Sequence, residues 1–176
     1  MSITGSDKEN PVKSGIPIAD LGAGLYAVIG ILSAIQSRIK NDSGEHVDIS
    51  MLDTQVSLLT YMATMHFLSG ENPKPIGNQH MNHVPFNSYR TSDGFIQIGV
   101  VAEVFWPSLI EALDLRQLDT KENKVRIGRL KNRENIDKAV QEVFISNTTE
   151  HWLKILQEHR VPVSYTHLTL PTILLV

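Results

Sequence analysis

The feature that most constrains this chain is a run from about Asp20 to Lys40, where Leu21, Leu25, Ile29, Leu32 and Ile35 recur at helical intervals. Further apolar residues fill the flanks of that stripe. Gly22, Ala23, Gly24, Ala27 and Gly30 crowd its first half. Glycine lowers helix propensity, so these positions imply that another backbone or a ligand approaches closely. Pro17 stands just ahead of the run. Asn41-Asp42-Ser43-Gly44 ends it, with Arg38 and Lys40 in the last turn, where cations suit the helix dipole. Its most apolar part, Leu25 to Ile35, is interrupted by Gly30 and Ser33 and reads as a buried helix, too short for the roughly 18 residues of a membrane span.

Residues 1–15 carry Gly, Ser, Asp and Pro without an apolar period and read as a loop or arm. They lack the apolar core of a signal peptide. After the long helix, His46 to Ser50 alternates as a short strand would, and Met51 to about Ser69 returns to helical spacing with Gly70 as its stop. Asn72-Pro73-Lys74-Pro75 is a breaker cluster, and a domain boundary is expected there. Val84–Thr91 and Phe95–Val101 read as two strands joined by Ser92-Asp93-Gly94. Helices are expected over about 103–113, 122–130, 134–146 and 149–159, the last capped by Thr148. The second half is thus a small antiparallel sheet covered by helices.

Of 176 residues, 41% are apolar and 20% charged, which fits a folded rather than a disordered chain. The net charge of -3 and the lack of a basic stripe argue against a nucleic-acid partner. With no cysteine, disulfides, thiolate metal sites and a cysteine nucleophile are excluded. A cytoplasmic protein with no membrane partner is expected.

Two places could carry chemistry. Asp20 opens the long helix between small residues. It could simply be an N-cap aspartate, or it could face a site where a helix N-terminus offers N–H donors to an oxyanion. The spacing leaves both open. The second place is the loop Gly77-Asn78-Gln79-His80-Met81-Asn82-His83, rich in amide and imidazole groups. His80 or His83 could bind a carboxylate or move a proton, or the loop could be a polar turn between domains. No carboxylate stands near these histidines at ligand spacing, so no metal is expected. His46, His66, His151, His159 and His167 are scattered, and neither a phosphate loop nor a Gly-x-Ser-x-Gly elbow occurs.

Taken together, the segments resemble the family III (CaiB/BaiF-like) CoA-transferases. The resemblance rests on Ile3-Thr4-Gly5, Gly15-Ile16-Pro17-Ile18-Ala19-Asp20-Leu21, Gly24-Leu25-Tyr26 and Val47-Asp48-Ile49-Ser50-Met51-Leu52-Asp53. It continues through Gly77-Asn78, His80, Pro85, Tyr89-Arg90-Thr91, Asp93-Gly94, Arg129, Asn132-Arg133, Trp152-Leu153 and Val161-Pro162-Val163. It implies an α/β fold, α+β in the small domain, of which this chain is a C-terminal fragment. Residues 1–51 would be the remnant of a large CoA-binding domain, 52–76 a linker helix and breaker, 77–163 the small domain and 164–176 a non-native tail.

The resemblance also implies that Asp20 is the nucleophile, passing CoA between two carboxylic acids through an aspartyl anhydride and an aspartyl–CoA thioester. A carboxylate is ordinarily ionised near neutrality and needs no separate base. Gly77, Asn78, His80, Asn82 and His83 would stand where some members carry a glycine-rich loop over the site. Acyl-CoA and a small carboxylic acid would be the substrates, with no permanently bound cofactor, and the full-length protein would be a homodimer. Only nineteen residues precede Asp20, so the region that holds the CoA nucleotide in the family would be missing and the fragment would be inactive alone. An acyl-CoA racemase or epimerase of the same family, with the aspartate as a base, is the first alternative. A non-catalytic helical module is the second.

Overall fold

A computed structural model describes residues 2–164 in full and the backbone of Tyr165. The chain divides into two compact units, Met1–Gly77 and Asn78–Val176.

The first unit is built on α1 (Ile18–Asn41), which starts at Pro17. The fixed φ of proline suits a helix entrance. Asp42 ends α1 in a left-handed conformation (φ 52°), its N–H returning to the carbonyl of Arg38. α2 (Met51–Ser57) is capped by Ser50, whose hydroxyl accepts the N–H of Asp53 at 3.1 Å. α3 (Tyr61–Ser69) stops at Gly70, left-handed at φ 72°. The glycine-rich half of α1 serves close approach. A methyl group on Gly22 would stand 2.9 Å from the Thr54 Cγ2, and one on Gly30 would stand 2.7 Å from the Val47 Cγ1. Further along, Ser57 donates to the Tyr26 hydroxyl at 2.9 Å. Residues 47–58 therefore run back along α1.

Three sequence expectations change here. The stretch from Met51 to Ser69 is two helices, broken where Thr60 adopts φ 46° and ψ -121°. His46–Ser50 forms no strand, because among the described residues no segment offers it a hydrogen-bonded ladder; its alternation survives, with Val47 and Ile49 half-buried toward α1. α1 is not a buried helix. Gly22 is its sole buried residue, while Leu25, Ile29 and Leu32 are 68%, 59% and 61% exposed. At 24 residues it is also long and apolar enough, by length and composition, to cross a membrane.

The second unit holds a sheet of order β1-β2-β3, antiparallel throughout: β1 (Phe86–Arg90), β2 (Phe95–Gly99) and β3 (Val163–Tyr165). α4 (Phe105–Ala112), α5 (Arg126–Lys131), α6 (Arg133–Phe144) and α7 (Thr149–Glu158) complete it, with a 3₁₀ turn at Arg116–Leu118. The helices cover one face of the sheet. Ile96 and Ile98, two apart and so on one side of β2, pack with Trp106, Leu109, Ile136, Val140, Phe144 and Leu156. Thr148 caps α7 as expected, accepting the N–H of His151. Asp93 in the hairpin turn accepts the Thr149 N–H at 2.7 Å and its hydroxyl at 2.9 Å, tying the turn to the start of α7. Helix α5 is shorter than the expected 122–130 run, beginning only at Arg126. Ser164 and Tyr165, placed in a foreign tail by the sequence reading, pair with Gln97 and Ile96. The rest of that tail lies outside the described residues.

Candidate functional site

Asp20 is the third residue of α1, in its first turn, and it does not cap the helix; Pro17 occupies that position. Its carboxylate is exposed and takes up no hydrogen bond or ion pair among the described residues. It lines an open hollow of about 820 Å³ beside the Ser2–Thr4 segment, the Lys13–Ile18 approach to α1, and Gln55, Val56, Leu58 and Leu59. Small residues make this possible. Gly22 lets α1 rest directly on Thr54 and Leu58, which brings the wall carrying Gln55 beside the helix end carrying Asp20. An unengaged carboxylate at the rim of such a hollow is able to act as a nucleophile or a base toward a bound carbonyl compound. Nearby, Val56 and Leu59 also line a smaller hollow with Met62, Ala63, His66 and Phe67.

The expected loop residues fall on both sides of the division between units. Gly77 closes the first unit at φ 62°, donating its N–H to the Gly5 carbonyl at 2.8 Å. Asn78 lines a small hollow with Ser88 and Gln97. His80 and His83 do come together, ring centres 4.6 Å apart, with Phe86 5.2 Å from His80. The Asn82 N–H donates to the His80 Nδ1 at 3.0 Å. Arg133 holds the loop by donating to the His80 carbonyl at 2.8 Å. Burial lowers the pKa of both imidazoles, helped for His80 by His83 and Arg133 and for His83 by Arg126 and Arg129, against an opposing pull from Glu103. Both rings are thereby biased toward the neutral form. The His83 Nδ1 is buried without a hydrogen-bond partner among the described residues. Among the described residues no three His, Asp or Glu side chains gather as a metal site would require.

Comparison with known proteins decides the kinship. Residues 1–168 match CoA-transferase family III.

The chain belongs to CoA-transferase family III.

Human succinyl-CoA:glutarate CoA-transferase is 30% identical over 163 residues, which are 92% of this chain and 37% of that protein. Succinyl-CoA:mesaconate CoA-transferase of Haloarcula marismortui is 32% identical over 164 residues, 93% of this chain and 41% of that one. A CaiB/BaiF family protein from Brucella suis superposes with a TM-score of 0.81 at 28% identity, covering 95% of this chain and 44% of the other. This family III chain therefore spans about two fifths of the length of the relatives it matches. The mixed architecture, helices with a three-stranded antiparallel sheet, is shared with that CaiB/BaiF neighbour. CoA-transferases use CoA thioesters as substrates.

The sequence reading missed Gln55. It lies on the wall of the Asp20 hollow, and its side-chain nitrogen is buried with no hydrogen-bond partner among the described residues. A glutamine inside a helical pattern gives no signal of that kind, because only the fold determines whether its amide meets a partner.

Proposed function

We propose that the protein carrying this chain transfers coenzyme A from an acyl-CoA to a free carboxylic acid, with Asp20 as the nucleophile. The observation that carries the reading is the unengaged carboxylate of Asp20 on the wall of an open hollow, in a chain of CoA-transferase family III. A carboxylate oxygen of Asp20 attacks the thioester carbonyl carbon, and the carbonyl pair moves onto oxygen. Collapse of that oxyanion expels CoA thiolate and leaves a mixed anhydride. The thiolate then attacks the Asp20 carbonyl carbon and releases the first acid as its carboxylate, giving an aspartyl–CoA thioester. The acceptor carboxylate attacks this thioester and displaces thiolate again. Thiolate attack on the acceptor's acyl carbon finally restores Asp20. No net proton moves, and the thioester's energy is kept in covalent form throughout. Excluding water during these steps protects the anhydride.

The loop Gly77–His83 is assigned a substrate-binding role. With both rings biased neutral and Arg133 fixing the backbone, it offers shape and hydrogen bonds rather than charge. A cytoplasmic homodimer without a permanently bound cofactor completes the reading. The relatives' names direct the first trials to succinyl-CoA as donor, with glutarate and mesaconate as acceptors.

The test uses the full product of the gene. Incubated with succinyl-CoA and then hydroxylamine, it should yield a hydroxamate at Asp20 by mass spectrometry. Asp20→Asn should lose transfer by a factor on the order of 10⁴ or more. Exchange of the α-proton of the acyl-CoA with no adduct at Asp20 would instead establish the racemase chemistry.

A further inference from the structure

We infer that Arg133 is a positioning residue for substrate binding: by holding the His80 carbonyl it sets the loop that carries His80 and His83 in the shape that receives the acyl-CoA. The inference rests on the substrate-binding role proposed above for that loop. The contacts that carry it lie within the second unit. Arg133 is the first residue of α6. A helix N-terminus is the positive end of the backbone dipole, so a cation gains nothing from that place. Asp137 stands one turn further along, at the spacing of a helical ion pair. Even so, Arg133 forms no ion pair among the described residues, and Asp137 accepts the Tyr89 hydroxyl instead. The guanidinium turns to the loop. One terminal nitrogen donates to the His80 carbonyl at 2.8 Å and lies 3.4 Å from that of Met81, while the other is 3.5 Å from the Gln79 side-chain oxygen.

Arg129, on the other side of the α5–α6 junction, holds the far end of the same loop by donating to the Val84 carbonyl at 2.8 Å. The two arginines carry different duties. Arg129 is 1% exposed and also serves the Asn123 carbonyl and Glu103, so it belongs to the interior. Arg133 is half-buried, and among the described residues its side-chain hydrogen bonds all go to residues 79–81. Between the two grips the loop orients its own ring. The His80 Nδ1 accepts the Asn82 N–H at 3.0 Å, which leaves the proton of the neutral imidazole on Nε2. The His80 N–H donates to the Phe86 carbonyl at 3.2 Å. This arrangement requires residues 80 to 82 to stay in register, and a planar guanidinium against two successive carbonyls keeps them there. Without it the loop would hold the competent shape for only part of the time. Apparent affinity falls by that fraction, while substrate once bound reacts as before.

The experiment compares wild type, Arg133→Met and Arg133→Lys as full gene products. Steady-state transfer gives kcat and KM for succinyl-CoA, and nitrogen NMR of labelled histidine gives the tautomer of His80. Arg133→Met should raise KM about tenfold while kcat changes by less than about twofold, the signature of lost binding rather than lost chemistry. Its His80 signal should move from the Nε2–H form to a mixture of tautomers. Arg133→Lys, which keeps a donor for the His80 carbonyl, should recover most of the KM loss. Three results overturn the inference while leaving the transfer reading intact. They are an unchanged KM in Arg133→Met, a raised KM with the His80 tautomer undisturbed, and a fall in kcat that lysine does not repair, as a packing defect would give. Absence of any transfer by the wild type overturns the transfer reading, and the inference with it.

Discussion

At the scale of single residues, the second unit turns on a charged side chain that a sequence reading puts at the surface. Arg129 is 1% exposed. Its guanidinium donates to the carbonyls of Val84 at 2.8 Å and Asn123 at 2.9 Å, and pairs with Glu103 at 2.7 Å. It lies 5.2 Å from the ring centre of Trp106. Glu103 answers it: partial burial would raise its carboxyl, but the hydrogen bonds from Arg129 and the Arg126 N–H, with both positive charges, hold it below the usual glutamate range. Replacing Arg129 by Met strands two buried carbonyls. We expect a loss of about 3 kcal/mol or more in urea unfolding followed by tryptophan fluorescence. Glu103→Gln, at a half-exposed position, should cost much less. Arg129 entered the sequence reading only through resemblance, because a lone arginine in a helical pattern does not reveal that carbonyls surround it. Asp20 was equally mute: its spacing admitted a cap or a site, and only the position of Pro17 removed the cap.

At the scale of elements, what could be read depended on whether a local signal existed. The long first helix was legible from its apolar period and from Asn41–Gly44 beyond it, and the observed ends differ by about a turn or less. The hairpin was legible from Asp93-Gly94, though its ladder is shorter than the apolar pattern suggested. The break between α2 and α3 was not, since neither glycine nor proline marks it; Thr60 takes a positive φ there. The run at His46–Ser50 has a strand's alternation without a ladder, which sequence alone cannot distinguish. For the proposed transfer, the contact that matters most is α1 on α2. Gly22→Val would drive a branched side chain into Thr54 and displace Asp20. A misplacement of about 1 Å costs on the order of 10²-fold, so transfer should fall by about that factor in steady-state assays.

At the scale of the whole molecule, order is unevenly shared. The hydrophobic core runs from Val84 to Val161 and lies wholly within the second unit. The first unit buries Gly22, Thr54 and Pro75 and leaves the apolar stripe of α1 in solvent. The place of Asp20, the proposed nucleophile, is thus set by close backbone contact rather than by a packed interior. Hydrogen exchange on this chain as it stands should therefore show amides of β2, α6 and α7 protected far longer than those of α1, by a factor of about 10³ for a difference of roughly 4 kcal/mol in opening. Comparable protection in both units would contradict this account.

Such unevenness has a practical edge. Both tryptophans, Trp106 and Trp152, are rooted in the half that does not hold Asp20. A heat ramp read by their emission reports on that half and is blind to the end that carries Asp20, so under the proposed function a library of variants ranked by melting would pass chemically dead members as healthy.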